Sequence, residues 1–254
     1  MPLKFRWETR FKKTEIGEIP EDWEVTRIKE IGEVVSGSTP STKRKEFWNG
    51  EIPWITPRDL ANFDGRYIYS GERNISKAGL KSGSLRLLPP GTILFTSRAP
   101  IGYVAIAGTS VTTNQGFKSI IPDRKKIVPE YLYYLLIRVR GYIESLSGGS
   151  TFPEITKSTM EQVYVIYPPF SEQTRIATVL SWFDDLIENL KRQNELLEKT
   201  AMAIFKSWFI DFEPFKDGEF VYSEELDREI PKGWEVKKLL KFLQAFFQAA
   251  GNTQ

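Results

Sequence analysis

A polar and basic stretch near the start of the chain carries side chains suited to binding a polyanion. It reads Ser36-Gly-Ser-Thr-Pro-Ser-Thr-Lys-Arg-Lys45 and is followed by Phe47-Trp48 and Thr56-Pro-Arg-Asp59. Lysine and arginine neutralise phosphates, while hydroxyl groups and backbone amides fix the register of a nucleic acid. The predicted DNA contacts in this region are Ser38, Thr39, Thr42, Lys43, Arg44, Lys45 and Arg58.

Two later stretches contain residue types that read the edges of bases. Thr96-Ser-Arg-Ala-Pro-Ile101 presents an arginine, and Thr112-Thr-Asn-Gln-Gly116 presents two neighbouring amides. Arginine matches guanine in the major groove, and asparagine or glutamine matches adenine. The predicted contacts here are Arg98, Asn114, Gln115 and Lys118. The alternative, that such polar loops are only solvated surface, stays open for each of them.

No arrangement of residues in the sequence predicts catalysis. The chain has no cysteine and no histidine, so thiolate ligands, disulfides and the commonest general base are missing. Tyr167-Pro-Pro-Phe170 is similar to a signature of DNA amino-methyltransferases, but tyrosine cannot replace the Asn or Asp that accepts hydrogen bonds from the target amine. Neither a P-loop nor a glycine-rich dinucleotide loop is found. We therefore predict a non-catalytic protein without a metal or cofactor of its own.

Composition sets the outer limits of the protein. The 254 residues are 41% hydrophobic and 13% aromatic, which is enough for a sizeable core. The formal net charge of +2 permits a polyanionic partner only if basic residues are gathered on one face. The longest apolar run, Tyr131 to Ile137, is far shorter than the ~20 residues of a membrane span, and the start lacks a signal-peptide core. We expect a cytoplasmic protein with no membrane partner.

The first part of the chain has the pattern of a mixed α/β (α+β) domain. Short β-rich runs are found at 91–96, 102–107, 111–121 and 162–167. A helix is predicted from Pro129 to Gly148-Gly149. Its apolar face comprises Leu132, Leu135, Leu136, Val139, Ile143 and Leu146. We assign residues 1–169 to this domain, which Pro168-Pro169 closes.

A long amphipathic helix is predicted after the two prolines, within residues 170–213. Apolar residues recur in alternating steps of four and three, which is the heptad pattern of a coiled coil. The predicted seam comprises Ile176, Leu180, Phe183, Ile187, Leu190, Asn194, Leu197, Ala201, Ile204 and Trp208. Asn194 is the polar residue in this seam, a type of position that fixes register and partner number. The alternative is an ordinary amphipathic helix packed on its own domain.

An internal repeat links the two ends of the chain. Ile19-Pro-Glu-Asp-Trp-Glu-Val25 recurs as Ile230-Pro-Lys-Gly-Trp-Glu-Val236, with five of seven positions identical. The second copy is followed by too few residues for another domain. We therefore interpret 214–254 as a linker, the opening of a second repeat, and a short helix over Leu239–Ala250.

The order of these features, and several short motifs, resemble the specificity subunit of Type I restriction-modification systems. The similar stretches are Ile16 to Trp23, Gly37-Ser-Thr-Pro40 with Ile52 to Ile55, Asn114-Gln-Gly116, and Pro168 to Gln173 with Arg175-Ile-Ala177. The resemblance implies a target-recognition domain that reads one half of a bipartite DNA site, followed by a conserved spacer helix. It implies no catalysis by this subunit, because methyltransferase subunits use S-adenosylmethionine and restriction subunits use ATP.

A full subunit of that family has two recognition domains, whereas this sequence carries one, so we expect a half subunit. Two chains could restore the symmetry as a homodimer through antiparallel long helices, and the target would then be an interrupted palindrome. Three alternatives stay open: an inactive truncated remnant, a coiled-coil interaction module without a DNA role, and a stand-alone DNA-modifying enzyme whose cofactor loop is not found.

Overall fold

The computed structural model describes residues 10–148 and 153–238. Within these ranges the strands are β1 (Phe11–Thr14), β2 (Gly17–Pro20), β3 (Glu24–Arg27), β4 (Gly32–Ser36), β5 (Trp48–Ile55), β6 (Tyr67–Ile68), β7 (Arg73–Ile75), β8 (Ile93–Ser97), β9 (Ile101–Ala107), β10 (Thr112–Thr113), β11 (Lys118–Pro122), β12 (Tyr164–Tyr167), β13 (Phe220–Ser223) and β14 (Arg228–Pro231). The helices are α1 (Ile28–Ile31), α2 (Pro57–Ala61), α3 (Lys77–Lys81), α4 (Pro129–Arg138), α5 (Arg140–Ser145), α6 (Lys157–Gln162) and α7 (Phe170–Phe205). The expected mixed α/β domain followed by a long helix is confirmed.

Two sheets form the frame of the first compact unit, which extends to Glu188. The larger sheet has the strand order β4-β11-β8-β9-β6, and the smaller has the order β10-β5-β7. Neighbouring strands are antiparallel except for β6 with β9 and β10 with β5. Strands β3 and β12 form a separate antiparallel pair.

The central strand β8 is buried on both faces. Ile93 and Phe95 enter the core beneath α4, α5 and α6, whereas Leu94 enters a second core that contains Leu60 of α2. All three β8 side chains are fully buried. Side chains alternate between the two faces of a strand, so a strand covered on both sides has an unbroken apolar sequence. This explains why the run at 91–96 does not alternate with polar residues.

Two predicted elements are each divided in the structure. The helix expected from Pro129 is interrupted at Val139, whose φ of −91° and ψ of 9° separate α4 from α5. Its buried face is otherwise as predicted, except that Leu146 is exposed. The strand expected over 111–121 is divided by a turn in which the Asn114 side chain accepts a hydrogen bond from the Gly116 N–H at 2.9 Å.

The long helix begins earlier than its apolar seam and ends earlier than Pro214. It starts at Phe170, where the Pro169 carbonyl accepts the first helical hydrogen bonds, and its 36 residues span about 54 Å. A π-helical turn, Lys206–Ile210, follows it. The helical path stops at Phe212, which has a left-handed φ of 51°.

The second compact unit starts at Asn189 and contains the remainder of α7 and the β13-β14 hairpin. The ring of Trp234 lies 5.3 to 5.6 Å from the rings of Phe209, Phe212 and Phe215. The helix predicted over Leu239–Ala250 and the turn residues Gly149 to Thr151 lie outside the described residues.

The internal sequence repeat is also a structural repeat. The β1-β2 hairpin pairs Phe11 with Pro20, and the β13-β14 hairpin pairs Phe220 with Pro231. In each copy the N–H of the following tryptophan donates to the proline carbonyl, at 2.9 Å for Trp23 and 3.1 Å for Trp234. Across the described ranges, none of the helices is long and apolar enough to span a membrane.

Candidate nucleic-acid interface

A turn at Asn114–Gly116 meets three other loops of the first unit. It is linked to the loop at 56–59 by the Asn114 N–H, which donates to the carbonyl of the preceding Ile55 at 3.0 Å. The Ser38 N–H donates to the Thr113 carbonyl at 2.9 Å, and the Thr39 hydroxyl donates to the side-chain oxygen of Gln115. The Ser97 N–H donates to the Gly116 carbonyl at 2.7 Å. We call residues 38–45, 56–59, 97–98 and 113–116 the four-loop surface.

Glycines make this close approach possible. A Cβ at Gly37 would lie 1.9 Å from the Asn114 carbonyl oxygen, and one at Gly116 would lie 2.8 Å from the Pro57 ring. These distances are far below van der Waals contact. The backbone at both positions therefore fits only without a side chain, and loops that are distant in sequence meet at one turn.

The loop at 38–41 is fixed by two buried tryptophans of β5. The indole N–H of Trp54 donates to the Ser38 carbonyl at 3.0 Å, and that of Trp48 donates to the Ser41 carbonyl at 3.1 Å. The two rings meet edge to face at 5.0 Å. The candidate contacts Ser38 and Thr39 consequently lie on a rigid base.

The basic run beyond Ser41 is exposed. Thr42, Lys43, Arg44 and Lys45 all have exposed side chains, and the Arg44 guanidinium lies 5.4 Å from the Phe47 ring centre. Within the described ranges, no ion pair engages Lys43, Arg44 or Lys45. Their charges are therefore available to an external anion.

Arg58 lies in the first turn of α2. A capping box between Thr56 and Asp59 starts this helix, and Pro57 occupies its first position. The Arg58 side chain is 80% exposed and approaches Glu72 at 4.0 Å. An exposed pair at this distance contributes little to stability, so Arg58 can exchange Glu72 for another anion.

Arg98 and Lys118 share one carboxylate. Arg98 approaches Glu154 at 3.7 Å, and Lys118 approaches the other oxygen of Glu154 at 3.2 Å. Lys118 is only 6% exposed and also donates to Ser97 at 3.3 Å. Its predicted direct contact with DNA is therefore not supported: the ammonium is buried and already paired, and it orients Glu154 beneath Arg98.

One basic residue at this surface was not predicted from the sequence. Arg73 of β7 is exposed, and its guanidinium carbon lies 3.6 Å from the ring centre of Trp48. It stands opposite Trp54 in the strand register. No short-range sequence pattern could have identified it, because the contact depends on pairing between β5 and β7.

A second polar cluster attaches the first half of α7 to the domain. Arg66, which is 7% exposed, donates to Asp185 at 2.6 Å and to the Tyr134 hydroxyl at 3.0 Å. The Tyr134 hydroxyl donates to Asp184 at 2.6 Å, and the backbone N–H of Arg66 donates to the Glu188 carboxylate at 3.2 Å. We call these five residues the helix anchor.

The charges in the helix anchor favour an ionised arginine. Burial disfavours the charged form of Arg66, but the hydrogen bond with Tyr134 and the nearby charges, including Asp185, outweigh it and raise the pKa of Arg66. Burial together with the hydrogen bond to Asp184 raises the pKa of Tyr134. Both groups therefore keep their hydrogen-bonding protons at neutral pH.

The predicted seam of α7 is exposed from Leu180 onward. Phe183 is 61% exposed and Leu197 is 66% exposed. Only Ile176, at its start, packs against the core of the domain. The alternative of a helix packed along its own domain holds for the first turns and not for the remainder, as far as the described residues extend.

A family model described as "Type I restriction modification DNA specificity domain" matches residues 20–199. Among curated proteins, the chain is 64% identical over 239 residues to the Type I restriction enzyme MjaIX specificity subunit of Methanocaldococcus jannaschii, covering 93% of this chain and 55% of that protein. It is 31% identical over 202 residues to the EcoR124I/EcoR124II specificity subunit of Escherichia coli, covering 74% and 47%. The chain thus spans about half the length of these relatives.

Solved structures share the fold. The chain aligns with the S subunit of a Type I system from M. genitalium at a TM-score of 0.60 and 19% identity, covering 85% of this chain and 50% of that one. For the HsdS subunit from Thermoanaerobacter tengcongensis the TM-score is 0.55 at 21% identity, with coverage of 78% and 47%.

Proposed function

Because the chain belongs to the family of Type I restriction modification DNA specificity domains, we propose that it recognises one half of a bipartite duplex DNA target through the four-loop surface. The observation that carries this proposal is the meeting of three loops at the Asn114–Gly116 turn. The exposed cations of 43–45 bind phosphates, and Arg98, Asn114 and Gln115 face base edges.

Salt-dependent binding tests this function. Reversing the charges of Lys43, Arg44 and Lys45 to Glu should lower the affinity for duplex DNA and reduce the slope of log K against log salt by about 0.9 for each phosphate that is no longer neutralised. The matched control reverses Lys29, Lys125 and Arg138, which are exposed outside the four-loop surface. Unchanged affinity and slope in the first variant would contradict the assignment of this surface.

The exposed seam supports a second part of the proposal, which is a homodimer through α7. Antiparallel pairing would bury Phe183, Ile187 and Leu190 against the partner and place identical recognition domains at opposite ends. The target would be an interrupted palindrome whose half-sites are about 15 base pairs apart, given a seam from Ile176 to Trp208 of about 50 Å and about 3.4 Å per base pair.

Light scattering over a range of concentrations tests the dimer. A mass near twice 29.3 kDa supports pairing of the helices. If the chain is a monomer at every concentration, the seam binds a different partner. The long helix would then be an interaction helix, and no palindromic target would be expected.

The methylation and cleavage chemistry belongs, in this proposal, to partner subunits. A methyltransferase subunit would bring S-adenosylmethionine, and a restriction subunit would bring ATP, while this chain binds neither. Calorimetry with S-adenosylmethionine should give no heat of binding to the isolated chain. Measurable binding would favour a stand-alone modifying enzyme. An inactive remnant would fold but would not retain a methyltransferase subunit in co-purification.

A further inference from the structure

Arg73 is held over two tryptophans at the margin of the four-loop surface. Its guanidinium carbon lies 3.6 Å from the ring centre of Trp48 and 5.8 Å from that of Trp54. Both indoles are at least nine-tenths buried, and both donate to the 38–41 loop. A distance of 3.6 Å is van der Waals contact, so the exposed guanidinium rests on a platform fixed to the same loop as Thr39.

The engagement of Arg73 differs from that of the other arginines nearby. Arg58 approaches Glu72, and Arg98 approaches Glu154. Among the described residues, the Arg73 guanidinium has no carboxylate partner and no hydrogen-bond acceptor; its contacts are the two aromatic faces. The side chain is exposed, and its contact with Trp48 restrains its position, which lowers the entropy cost of binding a ligand.

We propose that Arg73 reads a guanine in the major groove, donating two hydrogen bonds to its O6 and N7 atoms. This rests on the proposed function of the four-loop surface. The planar fork of arginine matches these two acceptors, whereas lysine offers one compact charge and cannot make the paired contact with the same geometry. The two tryptophans hold the planar guanidinium group of Arg73 in place, so that it is preorganised to bind one base pair in each half-site.

Selection from a random DNA pool tests the proposal whatever the target sequence is. Duplexes with a randomised segment are enriched on the 254-residue chain, on Arg73→Lys, and on the matched control Arg138→Lys, an exposed arginine outside the four-loop surface. The wild type should enrich a motif that contains a G·C pair, and the preference for that pair should fall by roughly 5- to 150-fold in Arg73→Lys. Arg138→Lys should enrich the wild-type motif unchanged. Affinity for non-specific duplex should change little in either variant, because the charge is kept.

The outcomes separate this proposal from the one on which it rests. No enrichment by the wild type would overturn the proposed DNA recognition itself. If the wild type and Arg73→Lys enrich the same motif, Arg73 does not read a guanine. The same conclusion holds if Arg73→Lys lowers the affinity equally for all sequences, because that is the effect of losing a phosphate contact. Near-ultraviolet circular dichroism checks the tryptophan packing. If Arg73→Lys does not fold, the enriched motif of Arg73→Gln is compared with that of the wild type instead.

Discussion

The two halves of the long helix differ in their contacts with the domain, because only the first half contains buried residues. In the first half, Phe170 to Glu188, Gln173 is fully buried and Ala177 is 4% exposed. In the second half, Asn189 to Phe205, every residue is exposed. Both halves belong to one continuous helix, so the difference lies in what their side chains contact. One half is bonded into the recognition domain, and the other presents an apolar seam with no cover among the described residues.

The first half is attached at two places along its length. At its start, the Gln173 amide donates to the carbonyls of Lys126 and Pro168 at 3.2 and 3.0 Å and accepts from the Val128 N–H at 3.0 Å. Further along, the helix anchor joins Asp184, Asp185 and Glu188 to Arg66. Two attachments along the first half of the helix fix the direction of this half relative to the domain.

The largest effect is expected from cutting the first attachment. Gln173→Leu removes three hydrogen bonds and leaves the Val128 N–H and the Pro168 carbonyl without these partners, while the Lys126 carbonyl still accepts from the Tyr167 hydroxyl at 3.0 Å. We expect the free energy of unfolding in urea to fall by about 3 kcal/mol. The matched control is Gln193→Leu, because Gln193 is exposed on the second half and, within the described part of the chain, its side chain bonds only to Asn189, at 3.4 Å. Equal effects of the two variants would refute the difference between the halves.

The second attachment should contribute somewhat less. Arg66→Met removes the ion pairs and leaves Asp185 and the Tyr134 hydroxyl without the donor that they share, while Asp184 keeps its hydrogen bond from Tyr134. We expect a loss of about 2 to 3 kcal/mol, below the range for fully buried pairs, because water reaches Asp185, whose side chain is 59% exposed.

Hydrogen exchange locates that loss. In Arg66→Met, amide protection should fall over Trp182 to Glu188 more than in the rest of α7. Arg192→Met, on the exposed half, should change the free energy of unfolding by no more than about 0.5 kcal/mol. If amide protection falls evenly along the whole helix, the helix anchor does not specifically stabilise the segment from Trp182 to Glu188.

The same contrast explains what could be predicted from the sequence. The heptad seam repeats over short spacings, so the sequence identifies it. The mixed α/β domain was predictable from β8 and the face of α4 for the same reason. Whether the seam is exposed or packed on its own domain stayed open in the sequence, because that depends on the fold. Arg66 was not predictable, because its partner Asp185 is 119 positions away.

The candidate interface divides in the same way. Lys43 to Lys45 form a local run that the sequence displays, and the structure leaves them exposed. Lys118 has the same chemistry, but the fold buries it against Glu154. Arg73 gains its role from pairing between two strands. Charge type is visible in a sequence, whereas burial and partners depend on long-range contacts.

The exposed half should respond to a change in its seam that leaves the domain unaffected. Asn194→Leu places an apolar residue at the polar position of the seam. We expect self-association to tighten by about tenfold or more, because a polar residue at such a position fixes the register of the helices but lowers the stability of the pair. Sedimentation equilibrium measures the change. Gln193→Leu, one residue off the seam, should leave association unchanged. No difference between the two variants would remove Asn194 from the interface.

The smallest effect should come from alkaline pH, and it should act on the anchored half. Burial, assisted by the charge of Asp184, raises the pKa of Tyr133 in α4 to about 12. The unfolded chain ionises this tyrosine near pH 10, so the folded state binds more protons between these values and stability falls as pH rises. Tyr133 should contribute a loss of about 1 kcal/mol between pH 9 and pH 11. Tyr133→Phe should remove that part of the slope when unfolding in urea is compared at the two pH values. An unchanged slope would mean that this phenol ionises as freely in the folded protein as in the unfolded chain, and that the region beside the anchor is open to water.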